Sequence, residues 1–411
     1  MFLLKKHKNE KQNKLSFLSK NILAIILLVC AVFFFEGHNL ITGEPDTDSG
    51  TNDIQKALQE SQNLKMAKEI AASFSANELC AQVIMTGLDS SGALSAYETA
   101  ALKEIPAGAI MLFRKNLNTK KDGVQKLNNG INDCYNFVKP FIAVDHEGGT
   151  VQRFADDVPR LDSAFSYFLL AESSSTALQQ IKKDAFESGT IIHSLGITMN
   201  LAPVAEVLND QNKNFLQTRT YGSNGDFVAA ACTAFIEGMN AAGIACVVKH
   251  FPGNTGDDPH YNKPVLNVSP EALVKMTQPF HDVFTRANPA AVMVSHVIVP
   301  EWDNAHNASL SKIVIEDIIK GKFNFNGIVL ADDFSMGAVA GTKSPQDNVV
   351  DAIINGADMV MTWPSDFKKT YTALLNALSS GKLSRSRLEN AATRIILQKI
   401  RIGVISEKSK E

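Results

Sequence analysis

Short apolar runs recur along the chain, and amphipathic stretches separate them. They are Gly108–Phe113, Phe141–Val144, Thr198–Val204, Ile244–Val248, Ala291–Val294, Gly327–Leu330 and Asp358–Met361. Runs this short and this continuously apolar read as strands buried on both faces. Each gap holds at least one helix-like pattern, such as Ser311–Lys320 and Asn348–Ile354. Alternating strand and helix patterns require a parallel sheet, because parallel strands need a crossover. Seven visible strands in about 300 residues suit a closed (β/α)8 TIM-type barrel, a single catalytic domain, better than a doubly wound sheet. No GxGxxG follows the first run, which argues against a dinucleotide fold. One further segment, Asn77–Gly87, has apolar residues at helical spacing and reads as a helix packed on one face.

The strand ends carry the chemistry. Phe141–Val144 ends in Asp145, followed by His146, Glu147 and two glycines, and Thr198–Val204 leads to Glu206. Ile244–Val248 ends in Lys249 and His250, Ala291–Val294 in Ser295 and His296, and Gly327–Leu330 runs through Ala331 into Asp332 and Asp333. In a barrel these ends share the C-terminal rim, where barrel enzymes keep their sites. After His250 comes a loop rich in Gly and Pro that contains Asp257, Asp258 and His260. Such a segment cannot be a helix.

Composition narrows the choice of partner. With 45% hydrophobic residues, 20% charged residues and a net charge of −3, the chain can fill a large core and has no basic bias towards nucleic acid. The five cysteines show no CxxC or CxH spacing, so they read as small buried hydrophobes; no metal and no cofactor are expected. The sequence sets no oligomeric state.

The N-terminus reads separately. A basic segment over residues 1–20 precedes a signal or membrane anchor at 21–37, whose apolar stretch runs from Ile22 to Phe35. Phe35-Glu36-Gly37 is a poor cleavage site, so an uncleaved anchor is expected, with the lysines in the cytoplasm and the remainder exported to the cell envelope. A polar tether over 38–55 then leads to the barrel at 56–411, with a helical pattern resuming near Ile54.

Two carboxylates on different strand ends, without a metal motif or a phosphate loop, suggest sugar chemistry, which needs a nucleophile or base and a proton donor about the anomeric carbon. Asp332 is the better nucleophile, since it directly follows a buried strand. Asp333 should point away and pack or cap the next turn.

The motifs AVDHEGGTVQRF, KHFPG followed by DPH, and GIVLADDFSMGAV together resemble the family 3 glycoside hydrolases over about Asn77–Ile402. They are most similar to the β-N-acetylglucosaminidase branch involved in bacterial cell-wall recycling. The resemblance implies that Asp332 forms a covalent glycosyl-enzyme intermediate. It implies that His260 is the general acid/base and that Asp258 orients it. Asp145, Arg153, Lys249 and His250 match sugar-binding positions, Arg219 resembles an arginine that reaches the sugar or forms an ion pair, and His296 either lines the pocket floor or packs. The loop FPGNTGDDPH departs from the family pattern: it is shorter, lacks a histidine at Asn254 and carries Pro259, which stiffens the backbone before His260. Glu206 stands where the family often has aspartate.

The expected activity is a retaining β-N-acetylhexosaminidase that acts on peptidoglycan fragments or related glycans, with carbohydrate as substrate and the membrane as partner of the N-terminal segment. The alternatives are an N-acetylglucosaminide phosphorylase, a β-glucosidase or β-xylosidase, and a non-catalytic sugar-binding envelope protein.

Overall fold

The computed structural model describes residues 47–155, 157–257, 261–336, 339 and 343–405. The chain divides into two units, Met1–Glu60 and Ser61–Glu411. The expected basic segment and anchor lie outside the described residues. Among the described residues, no helix is long and apolar enough to cross a membrane.

Eight parallel strands close a barrel. They are β1 (Ile84–Gly87), β2 (Ala109–Leu112), β3 (Phe141–Val144), β4 (Met199–Asn200), β5 (Ala245–Phe251) and β6 (Ala291–Val294), and then, after an antiparallel hairpin of β7 (Ile298–Val299) and β8 (Asp303–Asn307), β9 (Ile328–Ala331) and β10 (Met359–Thr362). Around the ring the order is β1, β2, β3, β4, β5, β6, β9, β10 and back to β1. Every residue of β1, β2, β3, β5, β6, β9 and β10 is buried. Side chains on one face fill the barrel and those on the other meet the helices, so no polar alternation marks the strands.

Each of the seven apolar runs overlaps a barrel strand. The eighth strand, β1, lies inside the segment expected to be one helix. That helix is only Ala76–Gln82, opened by a reciprocal cap in which Ser75 accepts from the Glu78 amide and the Glu78 side chain accepts from the Ser75 amide. The chain turns at Val83 and continues as β1, which pairs with β10 and β2. Val83, Ile84 and Met85 are apolar, and helix and strand are equally served by such a run. At the N-terminal side, a helix spans Thr47–Ser73, so it begins inside the stretch expected to be a tether. Extending an existing helix costs far less than starting one.

Two strand boundaries differ from the runs and matter for the site. The Thr198–Val204 run forms a ladder at Met199 and Asn200 and bridges Lys249 again at Val204, and Pro203 between them has no N–H to donate. β5 continues through Lys249 and His250 to Phe251, with a register irregularity against β6 between Val248 and Phe251. Lys249 and His250 therefore belong to the strand and are positioned by it. The expected helices near Ser311 and Asn348 are present as a π-wound helix, Ile313–Lys322, and an α-helix, Pro345–Ile354. Cys80, Cys232 and Cys246 are buried free thiols, and burial raises the pKa of each.

Candidate active site

The ends of β3, β5 and β9 converge on a cavity of about 320 Å³, whose lining includes Asp145, Arg153, Arg219, Lys249, His250 and Asp332. Its walls differ in character, and each is built by different elements.

The first wall starts at the turn after β3. Gly148 and Gly149 have φ of 98° and 56°, and a Cβ on Gly148 would lie 2.1 Å from the Asp162 carbonyl oxygen. Only glycine fits that reversal. The turn brings Glu147 back beside Asp145, and Asn200 at the end of β4 brackets it: its amide donates to the His146 carbonyl at 2.9 Å and accepts from the His146 N–H at 3.0 Å. Lys249 Nζ lies 2.7 Å from Asp145 Oδ1 and 2.7 Å from Glu147 Oε1. Arg219 grips Glu147 with Nε and Nη2, both at 2.9 Å, and Arg153 Nη2 reaches Asp145 Oδ2 at 3.2 Å. The Arg219 guanidinium also lies 5.7 Å from the Phe215 ring centroid.

Three cations thus hold two carboxylates, so each buried charge has a partner. Burial alone would raise the pKa of Asp145, but Lys249 and Arg153 hold it below the ordinary value. Glu147 is likewise pushed up by burial and drawn down further by Lys249 and Arg219. Burial opposes the charge on Lys249, yet Asp145 and Glu147 raise its pKa. The shifts of Asp145, Glu147, Lys249 and Arg219 all favour the charged form, and the cluster offers fixed donors and acceptors that hydroxyl groups can use.

The second wall is organised by Glu206, which is 1% exposed. Its Oε1 lies 2.7 Å from His250 Nδ1 and accepts from Asn254 Nδ2 at 2.9 Å, while Oε2 accepts from the Asn254 backbone N–H. Burial raises the pKa of this carboxyl, and the His250 and Asn254 hydrogen bonds more than offset that, leaving it below the ordinary value. A carboxylate on Nδ1 fixes the His250 tautomer and leaves Nε2 for the cavity. Glu206 was visible as a polar group at a strand end; its role as the anchor of His250 and Asn254 was not.

On the third wall, Asp332 follows β9 and its Oδ1 accepts from the Asp333 N–H at 2.9 Å. Asp333 caps the next turn, accepting from the Ser335 N–H at 3.0 Å and from Ser335 Oγ at 2.6 Å, yet it lines the cavity beside Asp332 rather than pointing away, because β9 ends at Ala331 and the alternation of side chains ends with it. Burial raises the Asp333 pKa, and the Ser335 bonds only partly oppose it. His296 does not line the cavity. It is fully buried under this turn, with Nδ1 2.6 Å from Ser309 Oγ and Nε2 2.9 Å from the Asp333 carbonyl, so both ring nitrogens are used within the protein. Burial lowers its pKa, against the pull of Asp332.

Asp258 and His260 lie outside the described residues. Asp257, next to them, is exposed, and its N–H bonds Thr255. No group of three or more His, Cys, Asp or Glu side chains among the described residues could hold a metal ion. Sequence reasoning did not select Glu147, Asn254, Phe113 or Trp363, all of which line the cavity. Glu147 sat in plain view two residues after Asp145, but only the reversal at Gly148 shows that it shares the same lysine.

The pattern described as "Glycosyl hydrolase family 3 N terminal domain" matches residues 75–397. A β-hexosaminidase of Tolumonas auensis is 29% identical over 297 residues, covering 71% of this chain and 86% of the relative. One of Actinobacillus succinogenes is 32% identical over 256 residues, covering 61% and 72%. Among solved structures, a glycoside hydrolase family 3 β-N-acetylglucosaminidase from Paenibacillus sp. is similar with a TM-score of 0.75 and 28% identity, over 81% of this chain and 63% of that one. A β-N-acetylhexosaminidase from Beutenbergia cavernae is similar with a TM-score of 0.70 and 25% identity, over 79% and 98%.

Proposed function

The chain belongs to glycosyl hydrolase family 3, and from that premise we propose that it is a retaining β-N-acetylhexosaminidase that removes terminal N-acetylglucosamine from glycans. The observation that carries this reading is the shared cavity: Asp332 opens onto it from β9, opposite the buried Asp145–Lys249–Glu147–Arg219 network and His250. The β-hexosaminidase relatives support the choice of sugar.

Asp145, Arg153, Lys249 and His250 bind and orient the terminal sugar through its hydroxyls, and Arg219 holds Glu147 and Lys249 in place for them. These groups are already paired, so they meet the sugar without reorganising. The Asp332 carboxylate attacks the anomeric carbon, forming a C–O bond to the enzyme as the bond to the leaving oxygen breaks. His260, as imidazolium, gives its proton to that oxygen, and Asp258 stabilises the charged ring. Water then attacks the same carbon and passes a proton to neutral His260, and the ester bond to Asp332 breaks to restore the carboxylate. Two inversions at one carbon give net retention.

The test is hydrolysis of an aryl N-acetyl-β-glucosaminide. D332A and H260A should each lower kcat by roughly a thousandfold or more, since removing a nucleophile or a positioned proton donor costs several kcal/mol. Near-normal turnover by D332A would overturn the assignment. The natural substrates are peptidoglycan fragments, and the protein is exported and anchored through residues 21–37; the basic segment followed by Ile22–Phe35 supports this. On fractionation, the full chain should sediment with membranes and be released by detergent rather than by high salt. Recovery in the cytosolic fraction would contradict it.

A further inference from the structure

We infer that Trp363 and Phe113 form an aromatic platform for a second pyranose ring, the one bonded to the departing oxygen. The inference rests on the glycosidase reading above. Both residues line the cavity that holds Asp332, yet neither belongs to its polar network. Phe113 directly follows β2 and Trp363 directly follows β10, so they rise on either side of β1. Between them β1 ends in Gly87, where a Cβ would come within 3.0 Å of the Phe113 ring and 3.3 Å of Pro364. Lacking one, the glycine lets the two rings lean together over the strand end. They stack with centroids 4.9 Å apart and planes 15° from parallel.

The indole is also tethered. Its N–H donates to Ser335 Oγ at 2.7 Å, and Ser335 Oγ in turn donates to Asp333 at 2.6 Å. The ring plane is thereby fixed to the turn that carries Asp332. Trp363 nevertheless remains 37% exposed. A rigid, tethered and exposed indole at a cavity mouth is a costly arrangement unless something covers it.

The placement of charge selects the occupant. The hydroxyl-binding groups stand at the ends of β3 and β5, and the nucleophile at the end of β9. A terminal sugar held by its ring hydroxyls on the first side presents its anomeric carbon to Asp332 on the other. In-line attack sets the departing oxygen on the face of that carbon away from Asp332, and whatever it carries extends away from the groups on β3 and β5, towards the side of the ring around β1, which stands across from β5 and is flanked by Phe113 after β2 and Trp363 after β10. A pyranose has one face of C–H bonds and a rim of hydroxyls, which matches an aromatic face with open solvent around it.

The experiment compares two substrates with alkyl leaving groups: N,N′-diacetylchitobiose and trifluoroethyl N-acetyl-β-glucosaminide, whose small aglycone does not reach the platform. W363A should lower kcat/KM for the disaccharide at least tenfold and for the trifluoroethyl glycoside less than threefold. W363F, which keeps a stacking ring and loses the Ser335 bond, should recover most of the loss. An equal loss on both substrates, or no loss on the disaccharide, would overturn the platform; the equal loss would mean that Trp363 acts through Ser335 and Asp333. A wild-type enzyme inert towards both substrates would overturn the glycosidase reading and the platform with it.

Discussion

Glu206 shows how much a single buried carboxylate can organise. It accepts from His250 Nδ1, from Asn254 Nδ2 and from the Asn254 backbone N–H, while Thr220 Oγ donates to the Glu206 backbone carbonyl. E206Q keeps the shape but replaces one acceptor oxygen by a donor, so at least one of these N–H groups faces another N–H. An unsatisfied buried donor costs about 1–3 kcal/mol. If the cost falls on the orientation of His250, kcat/KM for an aryl N-acetylglucosaminide should drop roughly tenfold to a hundredfold. The loss should appear mainly in KM if His250 binds the ground-state sugar, and thermal unfolding measured alongside separates it from misfolding. Most residues of this wall could be named from the strand ends. Their partners could not, because Glu206 and His250 are far apart in the chain and meet only through the pairing of β4 with β5. His296 illustrates the converse. At the end of an apolar run it has the same local signature as His250, and only its tertiary neighbours, Ser309 and the Asp333 carbonyl, turn it away from the cavity.

At the scale of elements, the barrel was legible wherever a strand stood alone between turns. It failed at β1, where helix Ala76–Gln82 leads into the strand with Val83 between them and no glycine or proline marks the change. Apolar residues satisfy a helix face and a doubly buried strand equally, so local pattern has nothing to choose between them. What chooses is the sheet. β10 and β2 each present an open edge, and Ile84–Gly87 closes the ring by pairing with both. The same closure explains the aromatic pair. Phe113 and Trp363 are 250 residues apart in number but stand two strands apart in the ring, with Gly87 between them. β5 offers a similar lesson, since the strand runs on through two polar residues once Lys249 has two carboxylates to meet.

For the whole molecule, buried titratable groups set the response to acid. His146, directly after Asp145, is 1% exposed, with Nε2 2.9 Å from Ser188 Oγ, and burial lowers its pKa from 6.5 to about 4. Between those values the unfolded chain binds a proton that the folded one refuses, so stability rises with pH across that window and falls as pH drops through it. The full shift corresponds to roughly 3 kcal/mol. Buried His296 contributes in the same direction. Asp145, Glu147 and Glu206 have depressed values, so their contribution is present above the ordinary carboxylate range and is lost only at lower pH. Denaturant unfolding followed from pH 7 to pH 4 should therefore show stability already declining above the ordinary carboxylate range, before Asp145, Glu147 and Glu206 take up protons, and H146Q should flatten that decline; an unchanged slope would assign it to other groups. By itself, the sequence determined the alternation of strands and helices, the barrel class, and the candidate groups at the strand ends, because these depend on local periodicity and on where apolar runs stop. Tertiary structure alone decided which acid meets which base, which histidine faces the cavity, where the eighth strand lies, and that two distant aromatic rings share one wall. Those outcomes depend on strand order and barrel closure, which bring together residues that no local pattern connects.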